Sequence, residues 1–140
     1  MLKTKLIHPE ILSALAKAGH GSQVLIADGN YPVATATNPL AARVYLNLAP
    51  GLVSTTDVLR VLAQVIPIEG AAVMEPKSGR ALAILREFRR LLPKGTPIES
   101  VTRVIFYEAA RREDTALVIA TGEQRLFANI LLTIGVVASS

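Results

Sequence analysis

The chain has 140 residues, half of them apolar, with 15 Lys or Arg against 11 Asp or Glu and no cysteine. That length fits one domain over residues 1–140 with a single sizeable core. The lack of cysteine excludes disulfides and thiolate metal sites. The net charge of +4 comes with only 4% aromatic residues, too few for a base-stacking nucleic-acid surface.

No apolar run approaches the ~20 residues that a membrane helix needs, and Leu6-Ile7 is too short for a signal-peptide core. The expectation is a cytoplasmic protein with neither a membrane nor a nucleic-acid partner. Its arginines pair up (Arg89 with Arg90, Arg111 with Arg112) among Glu87, Glu108 and Glu113, as on solvated helix faces. So apolar a small chain also suggests a homo-oligomer that hides part of its surface.

His8 to Ala18 reads as the first helix, with Pro9 at its first position, Glu10 near the positive dipole end, and Ile11, Leu12 and Leu15 on one face. His8 is assigned to the helix start, without a chemical role. Val24 to Ala27 is a short, wholly apolar run expected of a strand buried on both faces. Residues 29–39 are loop, and Arg43 to Leu48 alternates enough for a second strand. Ser54-Thr55-Thr56-Asp57 supplies a capping sequence for a helix whose stripe runs from Val58 to Ile66.

Ala71 to Met74 is a third short strand. Ser78 can cap a helix with Ala81, Ile84, Leu85, Phe88 and Leu92 on one side and Arg86, Arg89 and Arg90 on the other. Ile98 to Thr102 is expected as strand, Val104 to Glu113 as helix, Leu117 to Ala120 as buried strand and Asn129 to Val137 as the last strand. Thr121-Gly122-Glu123 reads as a turn. Alternating helices and short apolar strands make the class α/β, one domain with a mostly parallel or mixed sheet between helix layers.

The spacings exclude several chemistries. Gly19, Gly21 and Gly29 do not form a phosphate-cradling GxGxxG, no GxxxxGK occurs, and there is no serine-hydrolase elbow. His8 and His20 lack partners at metal-ligand spacing, so neither a metal nor another cofactor is implied. What remains is proton transfer on an uncharged substrate, with His20, Asp28, Glu69, Tyr107, Glu108 and amides such as Asn129 as candidates. Each has a structural alternative: His20 as a cap, Asp28 as a turn former, Tyr107 as core and Asn129 as a partner for backbone groups at a sheet edge. Asp28 does end an apolar strand, where open α/β sheets bind ligands.

An ordered set of segments goes further. Pro9-Glu10-Ile11-Leu12 precedes Gly19-His20-Gly21, and Ala27-Asp28-Gly29-Asn30-Tyr31-Pro32 follows. Later come Ala71-Ala72-Val73-Met74-Glu75, Arg103 with Phe106-Tyr107-Glu108, and Thr121-Gly122-Glu123 leading to Phe127-Ala128-Asn129-Ile130-Leu131. Over nearly its whole length the chain resembles the ribose pyranase and fucose mutarotase (RbsD/FucU) family, closer to the fucose branch. The resemblance implies an isomerase that opens and recloses the hemiacetal ring of a reducing monosaccharide, L-fucose or a related sugar, with no cofactor. It makes His20 the proton donor and Tyr107 a second acid/base or polarising group. Asp28 and Asn129 would hold sugar hydroxyls, with Glu69 an acidic sugar contact and Arg103 an orienting group. The family has tyrosine where this chain has Phe127, which removes a hydroxyl worth about 0.5–1.5 kcal/mol. The family also forms pentameric rings, typically paired into decamers.

One geometric expectation is independent of the family. His20, Glu69, Phe127 and Asn129 precede expected strands, whereas Asp28, Arg103 and Tyr107 follow them. The two groups should therefore lie at opposite sheet edges, roughly 13 Å apart for a four-residue strand. A shared site then requires the chain to fold back sharply or neighbouring subunits to complete it, and the expectation is an intersubunit site. The alternative reading is a non-catalytic sugar-binding accessory to uptake. An inert oligomeric scaffold is the third.

Overall fold

The computed structural model describes residues 1–77 and 82–140, so the cap assigned to Ser78 and the helical Ala81 lie outside the described residues. Four helices are described: α1 (Pro9–Lys17), α2 (Thr55–Leu62), α3 (Leu82–Leu91) and α4 (Arg103–Arg111). The strands are β1 (Gln23–Ala27), β2 (Ala42–Tyr45), β3 (Ile68–Met74), β4 (Ile98–Val101), β5 (Thr115–Ala120) and β6 (Ile130–Ile134).

The helix starts follow their local chemistry. The ring Nδ1 of His8 accepts the Ile11 N–H ahead of Pro9, which has no N–H to satisfy. Ser54 and Asp57 form a reciprocal capping box at α2, and Thr102 caps α4. The Ser54 hydroxyl bond, together with the neighbouring Arg60, holds the Asp57 carboxyl below its usual range against a modest burial effect.

The six strands form one mixed sheet in the order β2-β5-β1-β6-β3-β4. Two parallel groups, β2-β5-β1 and β3-β4, are joined by β6, which runs antiparallel to both β1 and β3. The expected β1 and β5 hold nearly residue for residue, whereas β3 begins earlier, at Ile68, and β6 stops at Ile134. The second strand also ends early: the chain leaves the sheet after Tyr45 and turns through an isolated bridge between Ala49 and Leu52.

Both sheet faces are buried, and alternation in β1 sorts its side chains between them. Val24 and Ile26 enter the larger core with Ile11, Leu59, Leu62 and Phe88 from α1, α2 and α3. Leu25 and Ala27 enter the smaller core with Phe106 and Ala110 of α4 and Tyr31, Val33 and Ala36 of the loop after β1. The sheet therefore lies between three helices on one side and one helix plus a loop on the other. Among the described residues, no helix is long and apolar enough to cross a membrane.

Candidate active site

The antiparallel course of β6 decides where the candidate residues meet. Its first residue, Ile130, pairs with Ile26 near the end of β1, so the segment before β6 stands beside the segment after β1. Asn129 thus reaches Asp28: the Asp28 N–H donates to Asn129 Oδ1 at 2.7 Å, and Asn129 Nδ2 donates to Asp28 Oδ2 at 3.0 Å. The expectation that Phe127 and Asn129 lie at the edge opposite Asp28 is corrected here. It assumed a parallel last strand, and an antiparallel one reverses the edge at which its leading residues emerge.

Five of the seven residues implied by the family pattern line one cleft of about 200 Å³: Asp28, Arg103, Tyr107, Phe127 and Asn129. Tyr31, Met74, Leu126 and Asn30 complete it. Arg103 and Tyr107 come from α4, four positions apart and hence one above the other on a single helix face. The Tyr107 ring stands edge-on to Tyr31 at 5.0 Å between centroids, and the Arg111 guanidinium lies 5.8 Å from the Tyr107 ring centre. Tyr31 in turn donates its hydroxyl to the Ala36 carbonyl at 2.8 Å. Burial, and after it the neighbouring Tyr107, pushes the Tyr31 phenol above the ordinary tyrosine range, so it serves as an anchored donor.

Asp28 is 5% exposed. Burial raises its carboxyl above the usual aspartate value, opposed by hydrogen bonds from the Asn30 and Tyr31 backbone and from Asn129. Its Oδ1 accepts the Asn30 N–H at 3.0 Å, so the turn-forming role is real as well. Asp28 and Asn129 each also contact the cleft. Together they are suited to gripping the hydroxyls of an uncharged ligand.

His20 and Glu69 form a separate constellation. His20 Nε2 lies 2.9 Å and 3.1 Å from the two Glu69 carboxylate oxygens, with side chains 59% and 46% exposed. His20 precedes β1, whereas Glu69, expected ahead of its strand, is the second residue of β3 because that strand begins at Ile68. Gly21 N–H donates to Ile134 O at the far end of β6. This edge is separated from the cleft by the five residues of β1, roughly 16 Å of strand. The expected separation therefore holds for His20 and Glu69 against Asp28, Arg103 and Tyr107. An imidazole bonded through Nε2 keeps Nδ1 as a second potential donor or acceptor.

The reading of Thr121-Gly122-Glu123 as a simple turn missed an ion pair between a buried carboxylate and a partly exposed arginine. Glu123 is 4% exposed. Arg125 meets its carboxylate bidentately, Nε to Oε1 at 3.0 Å and an η nitrogen to Oε2 at 2.9 Å. Burial opposes the charge, but the Arg125 hydrogen bonds and the Thr55 backbone outweigh it and hold the carboxyl at about 2. Thr55 adds its N–H and hydroxyl to Oε2, both at 3.2 Å. The available signal was an acid and an arginine two residues apart in a loop otherwise without secondary structure.

With this geometry in place, the relatives can be compared. Human fucose mutarotase is 30% identical over 95% of this chain and 91% of its own length. A D-ribose pyranase from Chloroflexus aggregans is 31% identical over 98% and 99%. Among solved structures, Bacillus subtilis RbsD complexed with D-ribose aligns with a TM-score of 0.86 at 25% identity, covering 99% of this chain and 100% of that one. The fucose mutarotase of Streptococcus pneumoniae in complex with L-fucose gives 0.83 at 26%, with the same coverage. A family profile described as the RbsD / FucU transport protein family matches residues 1–137, and the chain belongs to that family.

Proposed function

We propose that this protein is a sugar mutarotase that interconverts the anomers or ring forms of a reducing monosaccharide, with L-fucose or a related 6-deoxy sugar as its preferred substrate. Mutarotase or pyranase activity is supported at the level of the family by the relatives named above. The observation that carries the reading is the cleft itself. Its lining combines hydrogen-bonding groups from Asp28, Asn129, Arg103 and Tyr107 with apolar surface from Met74, Leu126 and Phe127. At about 200 Å³ it is smaller than the roughly 300–1,000 Å³ of pockets for drug-sized ligands, which suits a single sugar ring.

The preference for a 6-deoxy sugar follows from Phe127. Without a phenol hydroxyl, this position adds apolar surface next to Met74 and Leu126, where a methyl group is accommodated without stranding a polar atom. Ring opening requires removal of the anomeric hydroxyl proton and delivery of a proton to the ring oxygen. The aldehyde then rotates before reclosure. Acid and base groups suffice for this, typically ~10²–10⁴-fold in rate. His20 supplies one of them and Tyr107 the other, while Asp28, Asn129 and Arg103 hold the hydroxyls and Glu69 orients the imidazole.

His20 and the cleft lie at opposite edges of the sheet, so on this reading the site closes only between subunits. The His20–Glu69 edge of one protomer meets the Asp28–Asn129 edge of the next, a head-to-tail contact that generates a ring. Pentameric rings, alone or paired into a decamer, are the assembly proposed, acting in the cytoplasm. Saturation-transfer NMR on equilibrated sugars tests the function directly. Faster anomer exchange for L-fucose than for D-ribose is expected, and the effect should vanish in His20→Ala. Calorimetric sugar binding with no change in exchange would instead identify a non-catalytic binding protein.

A further inference from the structure

Residues 121–129 run between β5 and β6 without regular secondary structure, yet they deliver both Phe127 and Asn129 to the cleft. Something must hold them. Phe127 sits at φ 58°, a left-handed conformation that a bulky residue adopts only where its surroundings impose it. Three rows of contacts converge on Glu123. Its carboxylate takes the Thr55 N–H and hydroxyl at the start of α2, and the N–H and guanidinium of Arg125. Its carbonyl accepts the N–H of Gly29, the residue after Asp28, at 2.9 Å. Arg125 extends the network to Thr56 Oγ1 at 3.2 Å and to Glu87 of α3 at 2.9 Å.

We infer that Glu123 and Arg125 form a positioning clamp that sets the register of Asn129 against Asp28, and so fixes the hydroxyl-binding pair of the cleft. The inference rests on the reading of that cleft as a sugar site. Glu123 is bonded to both chain segments whose ends must meet: by its carbonyl to the turn after Asp28, and by sequence to the loop that ends at Asn129. Its carboxylate then pins the junction to α2, and through Arg125 to α3, so the loop cannot slide along the sheet edge. The Glu123 carboxylate is buried and Arg125 is partly exposed, so beyond any stability it contributes the pair supplies geometric definition. The pair touches neither the proposed catalytic His20 nor Tyr107. Its loss should therefore weaken sugar binding more than turnover of bound sugar.

Arg125→Lys keeps the charge but loses the planar fork, and Glu123→Gln keeps the shape but loses the anion. Both should remain folded, by circular dichroism, and should displace the Asn129 side-chain amide resonances of 15N-labelled, sugar-free protein. KM for anomer exchange should rise roughly tenfold or more while kcat changes less, as expected for a displaced binding group. Asp57→Ala serves as the stability control, since it removes the side-chain acceptor of the Ser54 N–H in the α2 capping box without touching the loop, and it should leave the Asn129 resonances and KM in place. Glu87→Gln removes only the outer partner of Arg125 and should give a smaller displacement in the same direction, which keeps the test open if the other variants do not fold. Wild-type Asn129 resonances and KM in the folded variants overturn the clamp. If the wild-type protein exchanges no sugar, the mutarotase reading fails, and the Asn129 resonances alone then decide the clamp.

Discussion

Asn129 grips Asp28 at two points, accepting its N–H at 2.7 Å and donating to its carboxylate at 3.0 Å, although the two residues are 101 positions apart in sequence. Both are buried, so neither bond is readily replaced by water. Asn129→Leu keeps the approximate volume and removes both partners, stranding the Asp28 N–H and weakening the hold on its carboxylate. The expected cost is about 1–3 kcal/mol in urea denaturation, together with loss of sugar binding by calorimetry.

The His20–Glu69 pair behaves differently because both side chains are about half exposed. A double-mutant cycle with His20→Ala and Glu69→Ala should give a stability coupling below about 1 kcal/mol, with melting temperature nearly unchanged. Anomer exchange should nevertheless fall by about 10²–10⁴-fold in His20→Ala. A loss of stability that tracks the loss of activity would assign the pair a structural role instead.

Glu123 sets a pH dependence of the opposite kind to that of Asp28. Its folded-state value of about 2 lies below the ordinary 4.5, so its contribution to stability is present above pH 4.5 and is lost as pH falls toward 2. That contribution is on the order of 2 kcal/mol once solvent screening at the partly exposed Arg125 is allowed for. Asp28 is raised, so its contribution is complete below its ordinary 3.8 and is lost as pH rises through the folded-state value. Thermal melts of Glu123→Gln and wild type should therefore differ most near neutral pH and converge toward pH 2.

Periodicity and turn chemistry in the sequence anticipate the strands around Val24–Ala27 and Leu117–Ala120 because those runs are buried on both faces and nearly devoid of polar residues. The capping box at Ser54 and the proline entry to α1 were legible for the same local reason. The direction of β6 was not, since an apolar strand such as Ile130–Ile134 carries no mark of whether its neighbours run with it or against it. That one unknown decided whether Asn129 faced Asp28 or His20. The Glu123–Arg125 pair was equally hidden: its partners, Thr55 and Glu87, are brought in by the fold from 68 and 38 residues away.

Gly122 and Gly70 make a matched pair for backbone packing. A Cβ on Gly122 would collide with the carbonyl oxygens of Ala49 and Leu52, which are backbone atoms unable to rotate aside. Gly122→Ala should cost about 1–3 kcal/mol or more. A Cβ on Gly70, within β3, meets nothing within 4 Å, so Gly70→Ala should be neutral or slightly stabilising through the unfolded chain. Chemical denaturation of the two variants side by side measures the difference.

The separation of His20 from the Asp28–Asn129 cleft makes a mixing experiment decisive for the proposed intersubunit site. His20→Ala retains an intact cleft edge, and Asn129→Leu retains an intact histidine edge, so each alone should be inactive. In a ring whose sites each join two neighbours, random mixing of the two variants restores both halves at about one quarter of the contacts. Co-refolded or co-expressed mixtures should then recover activity toward a quarter of wild type by saturation-transfer NMR, while the same proteins mixed without subunit exchange should not. A fully active monomer in light scattering, or no recovery in mixtures shown to exchange subunits, would place both halves of the site within one chain.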